Sequence, residues 1–80
     1  LSLHDALPIS GIRCNAVLPG FIQTPMTDKI PDKVKEKILS GVAMGRMGTV
    51  DEIAQVCLFL ATNQMSSYVN GASIEVTGGL

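Results

Sequence analysis

The feature that most constrains this chain is an apolar run, residues 12–18, that stops at the Pro19-Gly20 pair. The run is mostly apolar rather than alternating, which is typical of a parallel strand covered on both faces. We therefore predict a strand over residues 12–18. Open α/β sheets bind ligands at the carboxyl ends of their strands. The sequence therefore predicts a ligand-binding turn directly after the strand, carrying Thr24.

Two helices and a second strand are predicted further along the chain. Residues 31–40 repeat apolar side chains every four positions, as in an amphipathic helix. Residues 50–62 form the clearest helix, because Thr49 and Glu52 make a capping box before an almost wholly apolar stretch. Residues 73–77 alternate apolar and polar side chains, as in a half-covered strand. The intervening segments are a turn and loop over 19–30, a flexible connection over 41–48 and a polar loop over 63–70.

Several single side chains are expected to have structural roles. Asn15 should hydrogen-bond neighbouring backbone, because an unpaired buried amide costs about 1–3 kcal/mol. Asp28 is a candidate cap of the first helix, and Tyr68 should pack its ring near the last strand. Cys14 and Cys57 fit no metal spacing and should be buried, reduced thiols, with a disulfide as the alternative.

Composition excludes several classes of function. The net charge is −1 in 80 residues, which provides no field to recruit nucleic acid or an anionic membrane. No apolar run reaches about 18 residues, the length of a membrane span, and neither end resembles a secretory signal. We therefore expect an intracellular protein without a metal site. The charged side chains of residues 32–37 indicate a solvated face, with a docking site for an acidic partner as the alternative.

Four segments, in order, resemble the short-chain dehydrogenases/reductases. The first runs from Asn15 to Met26 and matches N-x-(hydrophobic)-x-P-G-x-(I/V)-x-T; the others are Gly-Arg-Met-Gly at 45–48, Phe-Leu-Ala-Thr at 59–62 and Val-Thr-Gly-Gly at 76–79. The resemblance covers residues 11–80. It implies an α/β fold in which this part of the chain is the C-terminal portion of a Rossmann-type doubly wound parallel sheet.

The resemblance also implies a cofactor site for NAD or NADP. In the family, the turn after this strand holds the nicotinamide end of the cofactor. At the matching positions, Pro19 and Gly20 would let the backbone approach the nicotinamide. The main chain of Ile22 would pair with the carboxamide. Thr24 would contact the carboxamide or the pyrophosphate. Residues 21–48 match the substrate loop. Its candidate contacts are Phe21, Met26, Met44 and Met47, with core filling as the alternative for the methionines.

The implied activity is hydride transfer between the cofactor and a 3-oxoacyl thioester, or a 17-hydroxy or 17-keto steroid, in the mitochondrial matrix or cytoplasm. The family's catalytic serine and Tyr-x-x-x-Lys have no counterpart, since Ala72 follows four residues after Tyr68, and no glycine-rich phosphate loop occurs. No residue is therefore predicted to be catalytic, and this chain alone should be inactive. Family members form tetramers, which implies subunit contacts through 50–62 and 73–77. A non-catalytic oligomerisation or interaction segment is the alternative.

Residues 1–10 differ from the rest of the chain, because the resemblance begins at Gly11. Pro8 would break a helix there, and the string resembles translated sequencing-adapter DNA. We therefore predict that residues 1–10 are not native and exclude them from the fold. A divergent or mis-spliced exon end is the alternative.

Overall fold

The computed structural model describes residues 11–80, so the prediction for residues 1–10 lies outside the described part. The described residues form two strands and four helices: β1 (Ala16–Pro19), α1 (Pro25–Asp28), α2 (Asp32–Leu39), α3 (Val50–Ala61), α4 (Asn63–Ser66) and β2 (Ser73–Val76). β1 and β2 are neighbours in a parallel sheet, with Ala16 opposite Ser73, and the helices form the crossover between them. This arrangement confirms the predicted α/β class.

β1 begins four residues later than predicted and continues through Pro19. The Ala16 N–H donates to Ala72 O at 2.8 Å, and the Gly20 N–H donates to Val76 O at 3.0 Å. Alternate residues of a strand direct their N–H groups to the same neighbour, so Pro19 stands where an N–H would point away from β2. The proline therefore leaves the ladder intact, which is why the strand passes the point where the prediction ended it.

The residues just before β1 lie outside the strand and are held largely by side-chain hydrogen bonds. Asn15 Nδ2 donates to Val69 O at 3.2 Å, and the Ala72 N–H donates to Asn15 Oδ1 at 2.9 Å. The Cys14 N–H donates to Asn70 Oδ1 at 3.0 Å. These bonds confirm the backbone-pairing role of Asn15, and they add to a main-chain bond from the Gly71 N–H to Cys14 O at 2.8 Å.

Arg13 connects the start of β1 to the end of the helical crossover. Its Nη2 donates to Leu60 O at 2.8 Å and to Asn63 Oδ1 at 2.9 Å, and its Nη1 donates to Val69 O at 3.1 Å. Leu60 lies in the last turn of α3, where free carbonyl groups and the helix dipole favour a cation. Arg13 therefore anchors the carboxyl end of α3 beside the sheet.

The helix starts were predicted with mixed success. Thr49 Oγ1 accepts from the Glu52 N–H at 3.2 Å, and Glu52 Oε1 accepts from the Thr49 N–H at 3.0 Å, which confirms the capping box of α3. The N-cap residue of α2 is Pro31, and no side chain caps this helix, so the prediction for Asp28 is wrong. Asp28 instead ends α1. Both α1 and α4 are four-residue helices within segments predicted as loops; Thr24 and Thr27 cap α1, whereas no side chain caps α4.

Residues 11–80 bury little apolar surface on their own. Val42 is buried, whereas Leu58 is 67% exposed. Tyr68 is fully exposed, so the predicted packing of its ring near the last strand is wrong, and Cys57 is exposed, so its predicted burial is wrong as well. Both cysteines are free thiols, and Cys14 is half-buried rather than buried as predicted. Apolar helix surface left open in this way is typical of a contact surface.

Candidate functional site at the carboxyl ends of the strands

The predicted ligand-binding turn begins at Gly20, where the ends of β1 and β2 pass close to each other. A Cβ atom added to Gly20 would lie 2.8 Å from Thr77 Cα and 2.9 Å from Thr77 Cβ. Distances this short allow no side chain at residue 20. Gly20 therefore has a clear role within the fold, which is to let the turn start directly against the end of the second strand.

After Gly20, the chain pairs with the segment that precedes α3. The Gly48 N–H donates to Phe21 O at 3.0 Å, and the Gln23 N–H donates to Gly48 O at 2.9 Å, which forms a parallel bridge between Ile22 and Gly48. The bridge thus uses the carbonyl of Phe21 and the N–H of Gln23, the residues on either side of Ile22. The N–H of Ile22 itself donates to no group within residues 11–80. The turn therefore presents one unpaired main-chain donor beside a fixed backbone.

Thr24 is the N-cap residue of α1. The Thr27 N–H donates to Thr24 Oγ1 at 3.2 Å, and the Thr24 N–H donates to Thr27 Oγ1 at 2.7 Å. The Thr27 hydroxyl also lies 3.0 Å from Ile22 O and can donate to it. Sequence reasoning missed Thr27, although Thr-Pro-Met-Thr carries the signal: a cap residue, a proline at the first helical position and a hydroxyl at the third.

The four predicted substrate-loop residues lie on both sides of this turn. Met26 is on α1 and is 81% exposed, and Met44 is 63% exposed beside the C-terminal glycines. Phe21 and Met47 are half-buried, each next to a residue of the Ile22–Gly48 bridge. Met26 and Met44 therefore fill no core within the described residues. Substrate contact stays a prediction for all four side chains.

The segment over 41–48, predicted as a flexible connection, follows a defined path. Val42 is buried, and the Met44 N–H donates to Gly78 O at 2.9 Å. A Cβ atom added to Gly79 would lie 2.6 Å from Ala43 Cβ. The segment therefore packs against Gly78 and Gly79, and its hinge motion stays a prediction.

An ion pair joins this segment to the start of α3. Arg46 Nη1 lies 2.8 Å from Glu52 Oε1, and Nη2 lies 2.9 Å from Oε2, while Nη1 also donates to Met47 O at 3.0 Å. Hydrogen bonds from Arg46 and from the Thr49 backbone lower the pKa of Glu52 to about 2, so this carboxylate is charged at neutral pH. Sequence reasoning missed this pair, because six residues across a loop give no periodic signal.

A cleft of about 620 Å³ lies elsewhere, among Gly11, Ile12, Arg13, Asn63, Ser67, Tyr68 and Asn70. These residues precede the strands, so the cleft opens at the amino edge of the sheet. The cleft is the weaker candidate because it lies away from the carboxyl edge, where parallel sheets bind ligands.

Two further classes of site are absent from the described part of the chain. No group of three or more His, Cys, Asp or Glu residues within 11–80 could hold a metal ion. No helix in the same range is long and apolar enough to cross a membrane.

The chain is similar to several characterised proteins. Residues 4–80 match a family model described as enoyl-(acyl carrier protein) reductase. The (3R)-3-hydroxyacyl-CoA dehydrogenase of Mus musculus is 56% identical over 70 residues, which are 88% of this chain and 27% of the mouse protein. The estradiol 17-beta-dehydrogenase 8 of Callithrix jacchus is 54% identical over 63 residues, which are 79% of this chain and 46% of the marmoset sequence.

A solved structure gives the same picture. The 3-oxoacyl-[acyl-carrier protein] reductase from Brucella melitensis superposes with a TM-score of 0.82 at 38% sequence identity. The match covers 85% of this chain and 25% of that one. The chain therefore spans about a quarter of the length of the mouse and Brucella proteins.

Proposed function

Since this chain belongs to the short-chain dehydrogenase/reductase family, we propose that residues 11–80 are the C-terminal portion of an NAD(P)-dependent oxidoreductase. The observation that carries the proposal is the turn after β1. It lies at the carboxyl ends of two parallel strands, its backbone is fixed by Gly48, and the N–H of Ile22 has no partner within residues 11–80. A rigid unpaired donor at this edge suits a polar ligand.

The residues of the turn fit the carboxamide of a nicotinamide ring. The carboxamide both donates and accepts hydrogen bonds, so it needs a partner of each kind. Ile22 supplies an N–H as donor and its carbonyl oxygen as acceptor. This oxygen accepts from the Thr27 hydroxyl and has a second lone pair for the carboxamide. Pro19 and Gly20 keep the turn against the sheet, and Thr24 fixes the start of α1 beside it. When bound, the nicotinamide would donate or accept the hydride. Whether the cofactor is NAD or NADP depends on residues outside this chain.

The catalytic groups of the proposed enzyme lie outside residues 11–80. Tyr68 is exposed at the amino edge of the sheet, and no described cluster replaces the family's Tyr-x-x-x-Lys. We therefore propose that the chain by itself has no dehydrogenase activity and supplies only part of the cofactor and substrate sites.

The proposed substrate is a 3-oxoacyl or 3-hydroxyacyl thioester, as the names of the mouse and Brucella relatives suggest. A 17-hydroxy or 17-keto steroid is the second candidate, because the marmoset relative is named as an estradiol dehydrogenase. Both substrates are largely apolar, and Phe21, Met26, Met44 and Met47 would face them. Methionine suits such a surface, since its flexible side chain adapts to different apolar shapes.

Three further proposals concern the whole protein. The outer side of α3, with Leu58 and Val50 at 67% and 57% exposure, would form a subunit interface together with β2 in a tetramer. Sedimentation of the full-length protein tests whether it forms a tetramer.

A mitochondrial or cytoplasmic location rests on the family resemblance alone. Residues 1–10 would be non-native, although the family match begins at residue 4. Deleting them should leave the free energy of unfolding unchanged. A loss of more than about 1 kcal/mol would contradict this proposal.

The main experiment measures binding of NADH and NADPH to the full-length protein that contains residues 11–80. Each cofactor is compared by calorimetry with its analogue lacking nicotinamide, ADP-ribose or 2′-phospho-ADP-ribose. We expect one cofactor to bind more tightly than its analogue, because the turn holds the nicotinamide end. If NADH and NADPH each bind with the same affinity as their analogue lacking nicotinamide, the proposal is contradicted. Cofactor oxidation with a 3-oxoacyl thioester and with a 17-keto steroid then separates the two substrates, with residues 11–80 alone as the expected inactive control.

A further inference from the structure

Glu52 holds the backbone on both sides of Gly48. Its carboxylate accepts from the Thr49 N–H at 3.0 Å, on the carboxyl side of Gly48. It also binds Arg46 through both oxygens, and Arg46 donates to Met47 O at 3.0 Å, on the amino side. Gly48 is thus fixed at both neighbours by one carboxylate and its guanidinium partner.

Gly48 in turn fixes the residues on both sides of Ile22. Its N–H donates to Phe21 O, and its carbonyl accepts from the Gln23 N–H. A Cβ atom on Gly48 would lie 2.8 Å from Ile22 Cδ1, so the two residues are in close contact. The bonds that run from Glu52 through Gly48 therefore reach Phe21 O and the Gln23 N–H, the backbone groups on either side of the unpaired Ile22 N–H.

We propose that Arg46 and Glu52 are positioning residues for the nicotinamide end of the cofactor: their bidentate ion pair fixes Gly48, and Gly48 fixes the Ile22 N–H. This inference rests on the proposed function, because it assumes that Ile22 binds nicotinamide. Neither side chain touches the cofactor in this arrangement. The planar guanidinium is required, since only a bidentate fork can bind Glu52 and still direct an N–H to Met47 O.

The test uses the full-length protein and the ratio of two dissociation constants, that for the cofactor and that for its analogue lacking nicotinamide. Glu52→Gln keeps the capping bonds of α3, because glutamine serves at the third helical position, but loses the charged pair. Arg46→Lys keeps the charge and loses the fork. Asp51→Asn is the matched control, since it removes a carboxylate from the same helical turn and leaves the ion pair of Arg46 and Glu52 in place. Thermal melts show that each variant is folded.

We expect Glu52→Gln and Arg46→Lys to reduce the advantage of the cofactor over its analogue by about twofold to fivefold, the range of an exposed ion pair. Asp51→Asn should leave that ratio unchanged. A merely structural role would weaken both ligands equally and would overturn the inference. So would an unchanged ratio in both variants. If Arg46→Lys fails to fold, Glu52→Gln decides. If the wild-type protein shows no advantage for either cofactor, the proposed function itself has failed.

Discussion

The two edges of the sheet are built in different ways. At the amino edge, polar side chains connect the elements: Arg13 binds three acceptors, and Asn15 pairs with the backbone of Val69 and Ala72. At the carboxyl edge, backbone meets backbone, and glycines allow the close approach, as at Gly20 and Gly48.

The difference has a consequence for function. At the amino edge, the side chains of Arg13 and Asn15 reach backbone groups more than 45 residues away along the chain, and they add to main-chain bonds such as that from the Gly71 N–H to Cys14 O. Backbone pairing at the carboxyl edge follows the fixed alternation of a strand, and this alternation leaves the N–H of Ile22 unpaired within residues 11–80. The first edge stabilises the fold, whereas the second both stabilises it and presents the main-chain donor that we propose binds the cofactor. Substitutions at the two edges should therefore separate stability from cofactor affinity.

The largest effect is expected for Gly20→Ala in the full-length protein. The new Cβ would meet Thr77 Cα at 2.8 Å, and a backbone atom cannot move aside as a side chain can. We expect a loss of about 3 kcal/mol in the free energy of unfolding, the upper part of the range for overpacking, together with weaker cofactor binding. Gly41→Ala is the control, since its Cβ would make only ordinary contacts, the nearest 3.5 Å from Ile38 O. Equal urea midpoints for the two variants would refute the close-packed carboxyl edge.

The next effect is expected for Arg13→Ala at the amino edge. This variant loses the bonds to Leu60 O, Asn63 Oδ1 and Val69 O, so we expect a loss of about 2 kcal/mol in stability, within the range for charged hydrogen bonds. Arg13→Lys should recover part of it. Cofactor affinity, measured where both proteins are folded, should stay at the wild-type value. A selective loss of nicotinamide binding would show that the two edges are not separable.

The sequence predicted those features that depend on near neighbours. The capping box of Thr49 and Glu52 spans three residues, and the local pattern is enough to place α3. The partners of Arg13 lie 47 to 56 residues away, and no local pattern specifies them. The contact between Gly20 and Thr77 likewise exists only once the two strands are side by side. The position of the turn was therefore predictable, whereas the contacts that hold it there depend on tertiary structure.

A smaller effect is expected for Thr24 at the carboxyl edge. From sequence alone, Thr24→Ala should weaken cofactor binding more than Thr27→Ala. The structure makes both residues part of one cap, with Thr27 also next to Ile22 O, so Thr24→Ser is the better control. We expect Thr24→Ala to lose about 1 kcal/mol of stability and some cofactor affinity, and Thr24→Ser to keep both. If serine behaves like alanine in calorimetry, the hydroxyl of Thr24 has no role in the turn.

The smallest effect is the acid dependence of the bond network around Gly48. The pKa of Glu52 falls from its ordinary value of 4.5 to about 2 in the folded chain, because Arg46 and the Thr49 N–H stabilise the carboxylate. A carboxyl with a lowered pKa stabilises the fold above its unfolded value and loses that contribution as the pH falls toward the folded one. The stability difference between wild type and Glu52→Gln should therefore be constant above pH 4.5 and shrink between pH 4.5 and about 2.

Solvent screens this exposed pair, so the change is small compared with that at Gly20. Urea unfolding of both full-length proteins across this pH interval measures it, with Asp51→Asn as the control for removing a carboxylate from the same helical turn. The stability difference between wild type and Asp51→Asn should not shrink in the same way as the pH falls, since Asp51 makes no ion pair within residues 11–80. A difference between wild type and Glu52→Gln that stays constant down to about pH 2 would mean that Glu52 is not held by Arg46. The carboxyl edge would then depend on its glycines and backbone bonds alone, and the ion pair would have no part in positioning Ile22.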